Sequence, residues 1–99
     1  MAYQVRFGIF EWDLEKDRQN ITKHGLSFEE AVRAFLDPKK ILDIDSDHSG
    51  TELRWFCFGK IGERLATIRF VLRGENVRIL GAGFWRKGQK IYEEKNAQA

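Results

Sequence analysis

Cysteine is scarce in this sequence, and its scarcity excludes a disulfide-stabilised fold. The 99 residues include one cysteine, Cys57, which has no second cysteine to pair with inside the chain. Cys57 lies in the apolar run 55–58, where a thiol is more often a buried structural residue than a reactive one. We therefore expect Cys57 to belong to the core.

Long apolar runs are absent as well. No run approaches the roughly 20 apolar residues that cross a bilayer as a helix, and the first residues lack the apolar stretch of a signal peptide. These absences, together with the single cysteine, predict a cytoplasmic protein with no membrane partner. The 42% apolar and 13% aromatic content is that of a globular protein, and 99 residues are enough for a single domain spanning 1–99.

Histidine is also scarce, with two copies in the chain. His24, His48 and Cys57 lack the paired spacing of zinc ligands, so we expect neither a metal site nor a cofactor. The acidic stretch 43–47 begins like a calcium-binding loop. However, His48 and Arg54 stand where that loop requires glycine and glutamate, which argues against calcium binding.

Apolar periodicity predicts helices in the first half of the chain. A short strand is expected over 7–12, followed by a helix over 14–24 with a thin apolar stripe. Gly25 is the type of residue that ends a helix, and Ser27 is placed to cap the next one. We predict that this second helix runs to Leu36 and has one continuous apolar face, which needs a sheet to pack on.

Strand patterns dominate the second half. The predicted strands cover 41–45, 54–61, 64–73 and 77–83. The tail 86–99 is predicted to be a helix, anchored by Ile91 and Tyr92. A short N-terminal strand, a helical hairpin, an antiparallel meander sheet and a C-terminal helix make an α+β fold, in which the hairpin covers one face of the sheet.

Positive charge is concentrated in the second half. Residues 1–50 carry 7 Lys or Arg and 10 Asp or Glu, a net −3, whereas residues 51–99 carry 10 and 5, a net +5. Alternation in the strand 64–73 puts Arg69 and Arg73 on the face that the helical hairpin leaves open. A basic surface of this kind suits a polyanion or an acidic partner protein, and ordinary solvated charge is the alternative.

Aromatic and basic residues meet at the start of the last helix. Phe84 and Trp85 are followed directly by Arg86 and Lys87. Such a mixture suits nucleic acid, because Arg and Lys neutralise phosphates while aromatic rings stack on bases. The alternative is that Phe84 and Trp85 pack beneath the last helix.

A longer signature runs through nearly the whole chain. It consists of Phe10–Asp13, Asn20, Lys23–Gly25, Ser27–Ala31, Phe35, Asp37, Pro38, Asp47–Ser49, Glu52, Arg54, Val77–Ile79 and Tyr92–Glu94. With these residues in this order and at these spacings, the chain resembles the BrnT-type toxins of bacterial type II toxin–antitoxin systems. The signature is specific as a set, although none of its parts is specific alone.

The resemblance implies a fold, an activity and a partner. The fold would be RelE-like, and the activity would be ribosome-independent cleavage of RNA by a small, metal-free endoribonuclease. The partner would be an antitoxin of the BrnA type with a ribbon-helix-helix region. The complex would hold two copies of each protein and would bind operator DNA only through the antitoxin.

Metal-free cleavage of RNA sets the roles for candidate site residues. A ribose 2′-OH attacks the adjacent phosphate, which needs a proton acceptor, cations around the phosphorane and a proton donor to the leaving oxygen. The candidate catalytic residues are Arg78, Arg86, Lys87 and His24. The candidate RNA-binding residues are Arg69, Arg73, Lys23 and Trp85.

The sequence departs from the family pattern at one place. Many family members carry adjacent arginines just after the last strand, and Ala82 and Gly83 occupy those positions here. Either the active cations have moved to Arg78, Arg86 and Lys87, or the chain is a catalytically weak or inactive interaction module of a DNA-binding repressor complex.

Overall fold

The fold is a six-stranded sheet with helices on both faces, in a computed structural model that describes residues 3–98. The strands are β1 Gln4–Phe7, β2 Phe10–Asp13, β3 Ile41–Ile44, β4 Arg54–Ile61, β5 Arg64–Arg73 and β6 Asn76–Gly83. The helices are α1 Leu14–His24, α2 Phe28–Ala31, a 3-10 helix Val32–Leu36 and α3 Arg86–Ala97. The α+β prediction is confirmed. Over residues 3–98, every helix is too short or too polar to traverse a bilayer.

The sheet has the strand order β1-β2-β6-β5-β4-β3. Strands β3 to β6 form the predicted antiparallel meander. The sheet as a whole is mixed, because β2 pairs with β6 in parallel and β1 then pairs with β2 in antiparallel orientation. The N-terminal hairpin therefore extends the meander at its β6 edge.

The prediction of a single N-terminal strand over 7–12 was wrong. The chain turns inside that stretch, where Gly8 has a φ of +64° between β1 and β2. Glycine adopts this left-handed conformation without a steric penalty. The apolar residues on both sides of Gly8 hid the turn from an argument based on periodicity.

The second helix is shorter than predicted. The Ser27 side chain accepts a hydrogen bond from the Glu30 N–H at 3.0 Å, so the predicted cap is present. After Ala31 the backbone tightens into the 3-10 helix, in which side chains three residues apart align. Phe35 still packs against the sheet, but Leu36 is 76% exposed, so the prediction of one continuous apolar face was wrong at its end.

The main core lies between the sheet and the layer formed by α1, α2 and the 3-10 helix. Its fully buried side chains include Leu26, Phe28, Ile68 and Ile79. Cys57 is also fully buried in this core, as predicted. Burial raises the pKa of the Cys57 thiol to about 12, because the charged thiolate is disfavoured in apolar surroundings.

A buried side-chain amide fastens α1 to the free edge of β6. Asn20 Nδ2 donates to the carbonyl oxygens of Leu26 and Ala82 at 2.8 and 2.9 Å, and Asn20 Oδ1 accepts from the Ala82 N–H at 3.1 Å. The amide of Asn20 thus pairs with Ala82 as a peptide group of a neighbouring strand would. The strand β2 pairs with β6 only at Val77 and Arg78, so the later residues of β6 have a free edge. Asn20 satisfies the backbone N–H and carbonyl groups of Ala82 on that edge.

The helix α3 packs on the opposite face of the sheet and is held there by Asp37, at the end of the 3-10 helix. The buried Tyr92 donates its hydroxyl proton to Asp37 Oδ2 at 2.7 Å. The same carboxylate accepts from the backbone N–H groups of Lys39 and Lys60, each at 2.8 Å. Asp37 therefore connects both helical layers to the edge of the sheet.

This network shifts the pKa values of both Asp37 and Tyr92. Burial acts to raise the pKa of Asp37, but the hydrogen bonds from Lys60, Tyr92 and Lys39 outweigh it and hold the pKa below its ordinary value. Burial, and next the hydrogen bond to Asp37, raise the pKa of Tyr92 to about 12. Both shifts favour the state in which a neutral tyrosine donates to a carboxylate.

Removing the Tyr92 hydroxyl tests the strength of this connection. Because Tyr92→Phe deletes a hydrogen bond to a carboxylate, we expect the free energy of unfolding at neutral pH to fall by about 1.5–3 kcal/mol. The raised pKa of Tyr92 means that its contribution is complete below about pH 10 and is lost as the pH rises to about 12. Urea unfolding should therefore show the two proteins converging over that range.

The matched control is Tyr3→Phe, because the Tyr3 side chain is 68% exposed. A difference in the free energy of unfolding between the wild type and Tyr92→Phe that stays constant from pH 9 to 12 would contradict the hydrogen bond between Tyr92 and Asp37.

The Asp37 carboxylate makes a second prediction, at acid pH. Because the pKa of Asp37 is lowered, its contribution to stability is complete above its ordinary pKa of 3.8 and is lost below that value.

Candidate functional site

A groove of about 480 Å³ lies between the sheet and the beginning of α3. Its floor consists of Phe56, Phe58, Thr67 and Arg69, and its wall consists of Trp85, Lys87, Gly88 and Ile91. The register of β4 and β5 builds the floor, because Phe56 lies opposite Arg69 and Phe58 lies opposite Thr67. Directly opposed residues of an antiparallel pair point to the same face, so these four side chains meet beneath α3.

Gly88 sets the distance between α3 and the floor. A Cβ at this position would lie 2.1 Å from Thr67 Oγ1 and 3.1 Å from the ring of Phe58. The helix therefore approaches more closely than any residue with a side chain allows. Thr67 Oγ1 is buried by this approach and has no hydrogen-bond partner among residues 3–98.

Gly81 makes room for the guanidinium group of Arg69. A Cβ at position 81 would lie 2.6 Å from Nη2 of Arg69, so the guanidinium group lies over the backbone of β6. The Nε of Arg69 is buried and donates no hydrogen bond to any described residue. Neither Arg69 nor Lys87 forms a salt bridge within residues 3–98, so the groove carries uncompensated positive charge.

Gly83 makes room for Trp85 in the same way. A Cβ at position 83 would lie 2.6 Å from Cζ2 of the indole ring, which therefore rests on the end of β6. The ring meets His24 edge-on, with 5.1 Å between the ring centroids. Trp85 remains 38% exposed and presents an aromatic surface to the groove.

Three of the predicted site residues meet in the groove: Arg69, Trp85 and Lys87. Arg78 lies elsewhere on the sheet and donates to Glu11 at 2.9 Å, in a nearly buried salt bridge between the paired strands β2 and β6. Its positive charge is compensated there.

The other predicted site residues lie at the surface outside the groove. Arg73 is exposed and pairs with Glu52 at 3.1 Å. Lys23 and His24 occupy the last turn of α1, and His24 reaches the groove only through its contact with Trp85. Arg86 lines a separate cavity.

The groove contains neither histidine nor carboxylate among its described lining residues. The second histidine, His48, bonds to the buried Asp45 at 3.0 Å in the loop after β3. Within residues 3–98, no three His, Cys, Asp or Glu side chains come together as a potential group of metal ligands. The side chains in the groove are therefore suited to holding negative charge and aromatic surfaces.

Several residues of the groove were missed by the sequence analysis: Phe56, Phe58, Thr67 and Gly88. Alternation in β5 placed Thr67 on the same face as Arg69, which was a usable signal. Gly88 was a second signal, because an isolated glycine inside a helical pattern often marks close packing. Phe56 and Phe58 required the register between β4 and β5, which the sequence does not display.

The arrangement matches the chemistry of a nucleotide. Aromatic rings stack on bases of any sequence, and Arg and Lys bind phosphate oxygens. The groove combines the rings of Phe56, Phe58 and Trp85 with the charges of Arg69 and Lys87.

Comparison with known proteins agrees with this chemistry. The chain matches a family model described as the ribonuclease toxin BrnT of type II toxin–antitoxin systems, over residues 12–88. The matched range runs from β2 to the first turn of α3 and confirms the resemblance drawn from the sequence signature. A search of curated protein sequences finds no match to the chain.

Substitution of Gly88 tests whether the close approach of α3 to the sheet requires a residue without a side chain. Alanine is the better helix former by roughly 1 kcal/mol, so an unhindered helix would be stabilised by Gly88→Ala. Because the new methyl group overlaps Thr67 Oγ1, we expect instead a loss of about 1–3 kcal/mol in the free energy of unfolding, measured with urea. Gly50→Ala is the control, since a Cβ there meets open space, and a stabilised Gly88→Ala protein would contradict the packing.

Proposed function

Since the chain belongs to the BrnT family of ribonuclease toxins of type II toxin–antitoxin systems, we propose that it is a metal-free endoribonuclease that cleaves RNA in the groove beside α3. The observation that carries the proposal is the meeting of Arg69 and Lys87, both without a described carboxylate partner, with three aromatic rings in one groove.

A single RNA strand suits the dimensions of the groove. Its volume of about 480 Å³ is in the range of pockets for small molecules, about 300–1,000 Å³, so it holds one unstacked nucleotide and not a duplex. Trp85 and Phe56 supply surfaces on which a splayed base stacks. Stacking of this kind is tolerant of base identity, because every base has a π face.

Arg69 and Lys87 act on the phosphate in this proposal. The planar guanidinium group of Arg69 binds two phosphate oxygens at once and stabilises the negative charge that grows as the 2′-OH attacks. Lys87 donates a proton or a hydrogen bond to the leaving oxygen. Arg78 has a structural role, because its charge is already held by Glu11.

Water takes the proton of the 2′-OH in this mechanism. The proposal assigns this role to water because the described lining of the groove includes no histidine or carboxylate that would act as a general base. His24 is a positioning residue, which holds the edge of Trp85 and thereby orients the stacking surface. The protein contributes mainly charge stabilisation and orientation of the strand.

Membership of a toxin–antitoxin family implies an antitoxin partner. We propose that this partner is of the BrnA type, with a ribbon-helix-helix region that binds operator DNA. The complex contains two copies of each protein in the cytoplasm, and the toxin contacts DNA only through the antitoxin.

A second candidate function is that of a non-catalytic module in a repressor complex. It is favoured by Ala82 and Gly83, which carry no charge where many relatives have arginines. Ala82 is fully buried and held by Asn20, so this position faces the core. Cleavage of RNA by the purified chain would support the endoribonuclease, and its absence would support the non-catalytic module.

Arg69→Ala is the sharpest test of the groove. Losing one preorganised cation should lower the rate of RNA cleavage by about 10²–10³-fold and relieve growth arrest when the chain is expressed alone in a bacterium. Gly81→Ala should act in the same direction, because its Cβ displaces the flexible end of Arg69 while the fold is kept. Lys90→Ala, exposed on α3 and outside the groove, is the control.

Two results would count against the groove or against catalysis. An active wild type with full activity in Arg69→Ala would place the cleavage site elsewhere. A wild type that neither arrests growth nor cuts RNA, yet binds the ribbon-helix-helix protein, would select the non-catalytic module. Restoration of growth on co-expression of that protein is the expected result for the antitoxin.

Metal removal tests the class of chemistry. Because side-chain cations are proposed to stabilise the phosphorane, we expect the rate of RNA cleavage to be unchanged after dialysis against EDTA. Cleavage should be followed on a labelled oligonucleotide by gel electrophoresis. Activity that disappears with EDTA and returns with added Mg²⁺ would refute the metal-free mechanism.

A further inference from the structure

A second cavity adjoins the groove at Trp85. It has a volume of about 340 Å³, and its lining includes Arg64, Phe84, Arg86 and Gln89. Trp85 lines both this cavity and the groove, so the two spaces are direct neighbours. We refer to it below as the flanking cavity.

Arg64 is held in a fixed orientation in the flanking cavity. Its guanidinium carbon lies 3.6 Å from the centroid of the Phe84 ring, and Phe84 in turn packs against the main core. Stacking uses the face of the guanidinium group and leaves the N–H donors at its rim available. Arg64 is exposed and forms no salt bridge with any residue in the range 3–98.

Arg86 adds a second cation to this cavity. It is the first residue of α3, whose first turn contains no acidic residue. Basic residues at this end are opposed by the helix dipole, so helix stability does not explain them. Arg86 likewise has no salt-bridge partner in the described chain, and the one carboxylate in the lining, Glu63, leaves a net positive charge.

We propose that the flanking cavity binds the nucleotide next to the one in the groove, so that a single RNA strand passes around Trp85 from one cavity to the other. Arg64 and Arg86 bind the phosphate of this second nucleotide, and Trp85, which lines both cavities, lies between the two positions. This inference rests on the proposed function, because it takes the groove as the place where the strand is cut.

The length dependence of RNA binding tests the flanking cavity. Fluorescence anisotropy of the full chain with 2′-O-methyl RNA, which cannot be cleaved, should show affinity that rises from a 3′-phosphorylated mononucleotide to a hexanucleotide. In the double variant Arg64→Ala/Arg86→Ala we expect hexanucleotide affinity to fall about tenfold or more, while mononucleotide affinity is kept. The slope of log affinity against log salt should fall by about 0.7 for each lost phosphate contact.

The matched control removes two positive charges from α3 at positions outside both cavities. It is Lys90→Ala/Lys95→Ala, both of whose residues are exposed. If this control weakens hexanucleotide binding as much as the double arginine variant, the effect is one of net charge and the inference is overturned. Wild-type affinity of the double arginine variant at every length overturns it as well.

Failure of the groove is distinguishable from failure of the flanking cavity. Arg69→Ala should weaken the mononucleotide and the hexanucleotide alike, because both occupy the groove. Unchanged mononucleotide affinity in Arg69→Ala would therefore count against the proposed function. An unchanged gain from mononucleotide to hexanucleotide in Arg64→Ala/Arg86→Ala would count against the flanking cavity alone.

Discussion

The carboxylate of Asp37 joins the helical layers on the two faces of the sheet, and the groove depends on it. A partly buried carboxylate is stable only when hydrogen bonds replace its water, and Asp37 accepts three such bonds, from Lys39, Lys60 and Tyr92. The bond to Tyr92 helps to hold α3 on the sheet. Since α3 supplies one wall of the groove, the geometry of the site depends in part on a residue that does not line it.

The groove is shaped as much by missing side chains as by those present. Gly88 lets α3 descend onto Thr67, and Gly81 lets the guanidinium group of Arg69 lie on β6. The close packing leaves Thr67 Oγ1 and Arg69 Nε buried without a described partner. Such groups lower stability by about 1–3 kcal/mol each, and their clustering at one place is typical of a site where function opposes stability.

Features decided within a few residues were predictable from the sequence. Ser27 caps its helix through a contact three residues away, so the residue type alone predicted the cap. Features decided over long separations were hidden. The salt bridge between Glu11 and Arg78 spans 67 positions, and it changes Arg78 from a free cation into a compensated one. No local pattern in the sequence reports such a pairing.

The uncharged end of β6 has a structural explanation. The side chain of Ala82 faces the core, and its backbone is held by Asn20 from the neighbouring helix, so a charged residue there would be buried. On the other face of β6, the space above Gly81 is occupied by Arg69, which lies opposite it on β5. A side chain at position 81 would exclude that guanidinium group. The positive charge at this end of β6 therefore comes from Arg69 on the adjacent strand. Arg69 can lie there because Gly81 has no side chain.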